Sequence, residues 1–243
     1  PAEHALLSAA VTVADKRGVV LTGRLSPSAQ PWLTEHQVGG VVLLPGTAFV
    51  DMAIRAGDEV GCGRIEELTL HTPLLIPERS AVRLQLVVDE PDESGFHAFS
   101  VYSREDTTAD LPADETWTCH ATGSLSAGGP ATAGDLMAWP PPGADEVDLT
   151  GFYPRLAEVG TVYGPLFQGL RAAWRRGTET FAEVALPKGT QTSGFGLHPA
   201  LLDAAIHPVM LSVGDRVSAD EPAWLPFSFN GVELHASGAA MLR

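Results

Sequence analysis

The chain has 243 residues, 44% apolar and 19% charged, which is enough for one large domain or two packed halves around a sizeable core. Its formal net charge of −15 excludes the basic face that nucleic acids require and the attraction of anionic membrane surfaces, so neither partner is expected. The longest apolar run, from Val38 to Val50, is interrupted by Pro45 and Gly46 and falls short of the ~20 residues of a membrane-spanning helix.

The two cysteines, Cys62 and Cys119, show no CxxC or Cys/His spacing, so two reduced thiols in a cytoplasmic protein are expected. The chain opens on Pro1 with neither a methionine nor a signal peptide, and reads as a piece of a longer polypeptide. With 25 glycines and 19 prolines it is well supplied with turns, which fits many short strands.

In chain order, residues 9–25 predict a strand pair turning at Lys16, Arg17 and Gly18. The stretch EHQVGGVVLLPG, 35–46, then places His36 at the mouth of an apolar run that ends in Pro45-Gly46. A helix is predicted over 47–60, with Phe49, Val50, Ala53 and Ile54 at helical spacing and Gly61 as its stop. Strands are predicted at 64–76, 81–89, 96–103 and 116–125; Val82, Leu84, Leu86 and Val88 alternate cleanly. Residues 127–150, rich in Gly, Pro and Ala, read as a linker between a unit over 1–126 and a second over 151–243.

The second unit repeats the order of the first. Strands are predicted at 169–176 and 179–186, then a helix at 199–207 opened by Pro199, with a kink or end at Pro208. Segments 223–236 and 239–243 follow as the first strands after that helix. By this internal comparison the second sheet lacks its last strand pair, and the chain is expected to be truncated there.

Three places carry residues suited to chemistry. His36 reads either as a core histidine with a satisfied hydrogen bond or as a base. Apolar surroundings keep the ring neutral, and the free N–H groups of a helix starting at Gly46 can hold a developing enolate oxygen. Asp203 and His207 share a helix face, either as a plain surface pair or as a buried acid oriented by its neighbour. Tyr163 in GTVYGPLFQGL is either a core tyrosine or a directional donor, while Phe167, Leu170 and Trp174 read first as core. The other histidines (His4, His71, His97, His120, His198 and His235) have no metal-ligand spacing, so no metal site is expected. There is no GxGxxG, P-loop or GxSxG, so nucleotide cofactors and serine hydrolysis have no support.

Taken together, these segments resemble the dehydratase domains of modular type I polyketide synthases. EHQVGGVVLLPG is similar to that family's HxxxGxxxxP motif, VYGPLFQGL to its YGP motif, LLDAAIH to its DxxxQ/H motif and WLPFSFNGVELH to its LPFSW-type segment. The resemblance implies an α+β double hotdog fold, each half a sheet wrapped around a central helix. It implies that His36 is the base and Asp203 the acid, with His207 orienting Asp203, Tyr163 near the substrate's β-oxygen and Gly46 supplying an amide to the thioester carbonyl. Gly40 and Pro45 are the motif's fixed positions, and Val41, Leu44, Phe167, Pro165 and Leu202 are the candidates for the walls of a substrate tunnel.

The reaction so implied is dehydration of a β-hydroxyacyl thioester to an enoyl thioester. No cofactor is implied, since the substrate arrives on the phosphopantetheine of an acyl carrier protein. That carrier, the neighbouring synthase domains and a second copy in a homodimer are the implied partners. An acidic surface does not attract an acidic carrier, and tethering in one polypeptide raises its effective concentration instead. Thr161 stands where the family commonly has an aromatic residue, and the family domain usually continues past Arg243. A double-bond isomerase or cyclase variant of the same fold, or a catalytically silent scaffold, are the alternatives.

Overall fold

The computed structural model describes residues 2–14, 18–106, 116–129, 138–213 and 224–243. The expected turn at Lys16 and Arg17 and the middle of the expected linker, 130–137, lie outside the described residues.

Ala9–Thr12 (β1) and Val19–Leu25 (β2) form the expected antiparallel pair, with Ala9 opposite Thr22. A 3-10 turn, Pro31–Glu35, then delivers His36–Val38 (β3), which folds back on Val41–Val42 (β4). Gly39 and Gly40 make the reversal with φ of 59° and 80°, where a side chain would be strained. Strands this short are invisible to alternation, so the sequence shows only an apolar run. Helix Gly46–Val60 (α1) starts after Pro45 and ends at Gly61, whose φ of 73° is the left-handed stop expected of it.

Arg64–Leu70 (β5) ends six residues before its expected limit of 76. Pro73 has no N–H for a ladder, and the chain turns away after His71, whose N–H donates to His120 O at 2.8 Å. Val82–Pro91 (β6), His97–Glu105 (β7) and Thr118–Ser126 (β8) follow as expected. In β6, Val82, Leu84, Leu86 and Val88 face inward while Arg83 and Asp89 face out. α1 lies across this sheet and buries Phe49, Val50, Met52, Ala53 and Ala56 against Leu21, Ile65, Leu68 and Phe99. Each large apolar side chain so buried contributes about 1.5–3 kcal/mol.

The second half runs Asp145–Glu146 (β9), Phe152–Glu158 (α2), Thr161–Tyr163 (β10), Leu170–Arg176 (β11), Glu179–Ala185 (β12), Pro199–Ile206 (α3), Pro208–Val213 (α4), Ser228–Glu233 (β13) and Met241–Leu242 (β14). Pro208 ends α3 and opens α4, as its missing N–H requires, yet His207 keeps helical dihedrals (φ −54°, ψ −34°). The second sheet has the order β14-β12-β11-β9, and α3 packs Leu201 and Ala204 with Phe167 and Val184 beneath it.

One strand departs from expectation. β13 does not join the second sheet; it pairs antiparallel with β5, Ser228 opposite Thr69 and Glu233 opposite Arg64, and completes a seven-stranded sheet β1-β2-β6-β7-β8-β5-β13. Phe229 packs on the first core, and an Arg64–Glu233 ion pair of 2.7 Å closes the end of the ladder. Alternation in sequence sets which face a strand buries, not which edge it chooses.

The halves also meet in a three-stranded sheet, β10-β3-β4, and at the starts of their helices, where the Thr47 hydroxyl donates to Pro199 O at 2.9 Å. No helix among the described residues is long and apolar enough to cross a membrane.

Candidate active site

β3 and β10 pair with His36 directly opposite Tyr163, so a strand from each half brings these two residues together. His36 is 5% exposed, and its Nδ1 lies 3.0 Å from Leu43 O. A carbonyl only accepts, so Nδ1 carries the proton and Nε2 keeps a lone pair. Burial holds the imidazole below its ordinary value of 6.5, opposed in part by the negative charge of Asp203. The ring is therefore a neutral base near pH 7. Phe167 (5.2 Å between ring centroids) and Tyr163 (5.6 Å) pack against it.

The residue before it fixes this geometry. Glu35 accepts from Gly164 N–H through its carbonyl and from Leu166 N–H through its carboxylate, both at 2.7 Å. A Cβ on Gly164 would come within 2.7 Å of the Glu35 side chain, so the Tyr-Gly-Pro turn can sit this close only with glycine there.

α3 supplies the acid candidate. His198 accepts the Ala200 N–H on Nδ1 at 3.1 Å and so caps the helix, with Trp32 and Phe195 packed on its ring. One turn later stands Asp203, 4% exposed, with Oδ2 2.9 Å from Nε2 of His207, itself 3% exposed. Tyr163 lies over His207 at 4.4 Å between ring centroids. Burial, and then the charge of Asp203, push the Tyr163 phenol well above its ordinary range, so the hydroxyl stays a donor.

These groups converge on a cavity of about 580 Å³ lined by His36, Leu44, Gly46, Tyr163, Asp203 and His207. Its remaining wall is chiefly apolar, including Phe49, Leu70, Leu74, Met210 and Phe229. Gly46 is the first residue of α1, so its N–H has no intrahelical acceptor. A Cβ there would meet Leu70 at 2.8 Å, so a side chain would crowd the wall where that amide opens on the cavity.

The other sequence candidates lie elsewhere. Gly40 turns β3 into β4, and Pro45 is buried as the cap residue of α1. Four of the five tunnel-wall candidates lie outside the cavity lining. Val41 is 47% exposed on β4, Pro165 is exposed on the turn, Phe167 is buried beneath His36, and Leu202 faces the first core from the other side of α3. Of that group only Leu44 lines the cavity.

Sequence reasoning missed several residues. Trp224, Leu225 and Phe227 form one wall, and His120, held between Ser103 Oγ and Thr72 O at 2.7 Å each, forms part of another. Tyr153 reaches His207 from α2, 54 positions away. Only the Trp-Leu-Pro-Phe segment had a sequence signal, in its resemblance to a family motif. Among the described residues no group of three or more His, Cys, Asp or Glu is arranged to hold a metal ion.

Comparison with known proteins bears on the chemistry. Residues 4–104 match the family described as "Polyketide synthase dehydratase domain", and 131–242 match "Polyketide synthase dehydratase N-terminal domain". A solved structure, from work on dehydratase substrate selection for the borrelidin and fluvirucin polyketide synthases, is 47% identical with a TM-score of 0.88 and covers 98% of this chain and 83% of its own. The chain belongs to the polyketide synthase dehydratase domains. The crystal structure of the erythromycin dehydratase is 44% identical over 98% of this chain and 84% of its own, with a TM-score of 0.86. Polyketide synthase GfsA of Streptomyces halstedii is 55% identical over 248 residues, all of this chain, which spans only 3% of that protein's length. The fold of this dehydratase domain is accordingly the double hotdog. Dehydratase domains of this family are hydro-lyases acting on β-hydroxyacyl thioesters and are in general independent of cofactors.

Proposed function

We propose that this domain dehydrates a β-hydroxyacyl thioester, presented on the phosphopantetheine arm of an acyl carrier protein, with His36 as base and Asp203 as acid. The observation that carries the reading is that His36, from one half, and Asp203, from the other, line one cavity beside the free amide of Gly46. His36 Nε2 takes the α-proton while the Gly46 N–H stabilises the enolate-like oxygen of the thioester carbonyl. The Cβ–O bond breaks as Asp203 delivers its proton to the hydroxyl, and water leaves. Passage of a proton from His36 back to Asp203 restores the starting state. Tyr163 holds the β-oxygen and His207 holds Asp203.

The two hotdog units correspond to the expected 1–126 and 151–243 with two adjustments: β9, inside the expected linker 127–150, pairs with β11 and belongs to the second unit's sheet, and β13 crosses to the first unit's sheet. Family membership supports the carrier protein, neighbouring synthase domains and a second copy as partners.

The test is the mass of a β-hydroxyacyl-carrier substrate after incubation with the parent, His36→Ala and Asp203→Asn, all shown to be folded. Loss of one water by the parent, with each variant slower by about 10²–10⁴-fold, is expected. A folded parent that leaves the mass unchanged but moves a double bond would indicate an isomerase, and one that does nothing a scaffold. His36 works in its neutral form and its pKa lies below 6.5. The limb of the pH–rate profile that His36 sets should therefore lie below that value.

A further inference from the structure

Tyr153 lies on α2, an element that sequence reading did not anticipate, and none of the motifs contains it. Its hydroxyl oxygen accepts the N–H of Leu170, the first residue of β11, at 2.9 Å. Having taken one N–H, the oxygen has a single proton of its own to place. His207 Nδ1 lies 3.2 Å away. On the far side of that ring, Nε2 lies 2.9 Å from Asp203 Oδ2.

We propose that Tyr153 is a positioning residue that fixes the tautomer of His207 and thereby leaves the second oxygen of Asp203 to carry the acid proton. The inference rests on Asp203 being the acid. With the Tyr153 hydroxyl donating, Nδ1 is bare and the ring's one proton sits on Nε2, where it donates to Oδ2. Every donor then points the same way, from backbone amide to phenol to imidazole to carboxyl. Oδ2 is committed as an acceptor, and Oδ1 is the oxygen that can donate into the cavity.

The opposite tautomer reverses the consequence. A proton on Nδ1 would compete with Leu170 N–H for the phenol oxygen, and a bare Nε2 would draw the carboxyl proton away from the substrate. Burial raises the Tyr153 phenol to about 12, so it keeps its proton across the working range. The ring is held by Phe152 at 5.1 Å, His207 at 5.7 Å and Tyr163 at 6.0 Å between centroids, which keeps the phenol oxygen within reach of Nδ1.

Two measurements on the whole chain test this. The first is the ¹⁵N spectrum of the His207 ring. In the parent, Nδ1 should read as a bare acceptor nitrogen and Nε2 as a protonated one, and in Tyr153→Phe the two should move towards a mixture. The second is the effect of Tyr153→Phe on kcat in two backgrounds. Losing one net hydrogen bond should slow the parent about tenfold. In His207→Gln the same change should cost less than about twofold, because an amide always offers an N–H and has no tautomer to lose.

A merely structural tyrosine would cost the same in both backgrounds, and that result would overturn the proposal. So would a parent ring protonated on Nδ1, or one unchanged by Tyr153→Phe. Should Tyr153→Phe not fold, the parent spectrum decides alone. The spectra need no turnover, so a chain that fails to dehydrate refutes the dehydration reading while the tautomer is still read.

Discussion

Among the described residues two aspartate–histidine pairs are buried, one on each central helix, and they have opposite fates. Asp51 of α1 is 1% exposed, with Oδ2 2.8 Å from Nε2 of His4; its Oδ1 accepts Leu197 N–H at 2.9 Å, and His4 Nδ1 accepts Leu6 N–H at 3.1 Å. All four polar atoms are committed. In the second pair, Oδ2 of Asp203 is committed to His207 while Oδ1 has no partner among the described residues, and Asp203 lines the cavity. The same two residue types therefore give a clamp in one half and, on the proposed reading, the reactive carboxyl in the other. What separates them is one unspent oxygen beside open space.

The clamp has its own task. It ties the N-terminal segment, whose Ala5 N–H donates to Gly194 O at 2.8 Å, to α1 and to the loop that leads into α3. His4→Phe leaves the Asp51 carboxylate buried with one donor, so a loss of about 3–5 kcal/mol in urea unfolding is expected. Removing both partners, as His4→Phe with Asp51→Leu, should recover much of that loss.

Next in size comes a pH effect in the same region. Burial lowers His198 from 6.5 to about 4. The unfolded chain therefore binds the proton first as pH falls, and the stability held above 6.5 drains away between 6.5 and about 4. For a shift of this size the loss is about 3 kcal/mol. His198→Asn, which keeps an acceptor for the Ala200 amide, should flatten the fall in unfolding free energy over that interval. Thr47→Val, which removes only the hydrogen bond to Pro199 O, should cost about 1–2 kcal/mol by the same unfolding measurement.

Legibility in the sequence follows the range of the interaction. Helix α1, its Gly61 stop and the alternation of β6 are local patterns, and each stands within a residue or two of where the sequence puts it. His36, Asp203, His207 and Tyr163 could be picked out because each sits in a short motif. His4 with Asp51, and Tyr153 with His207, are 47 and 54 positions apart, and nothing local marks either pair. α2 carries Pro154 within seven residues, which hides a helix from periodicity. The edge chosen by β13 depends on β5, more than 150 residues earlier in the chain. The cavity wall is hard to read from sequence for a related reason. Val41 and Leu44 belong to one apolar run, and only the β3–β4 turn decides which of them meets solvent.

The contrast between the pairs is tested most directly by changing each aspartate to asparagine and reading two quantities on both proteins. These are the free energy of unfolding and the rate of water loss from a β-hydroxyacyl thioester per folded molecule. Asp203→Asn should fold with stability close to the parent and lose about 10²–10⁴-fold in rate, whereas Asp51→Asn should be clearly destabilised and keep a near-parent rate in the fraction that is folded. An Asp203→Asn protein that turns over like the parent would contradict the assignment of the acid. A folded Asp51→Asn protein as slow as Asp203→Asn would contradict the division between clamp and catalyst.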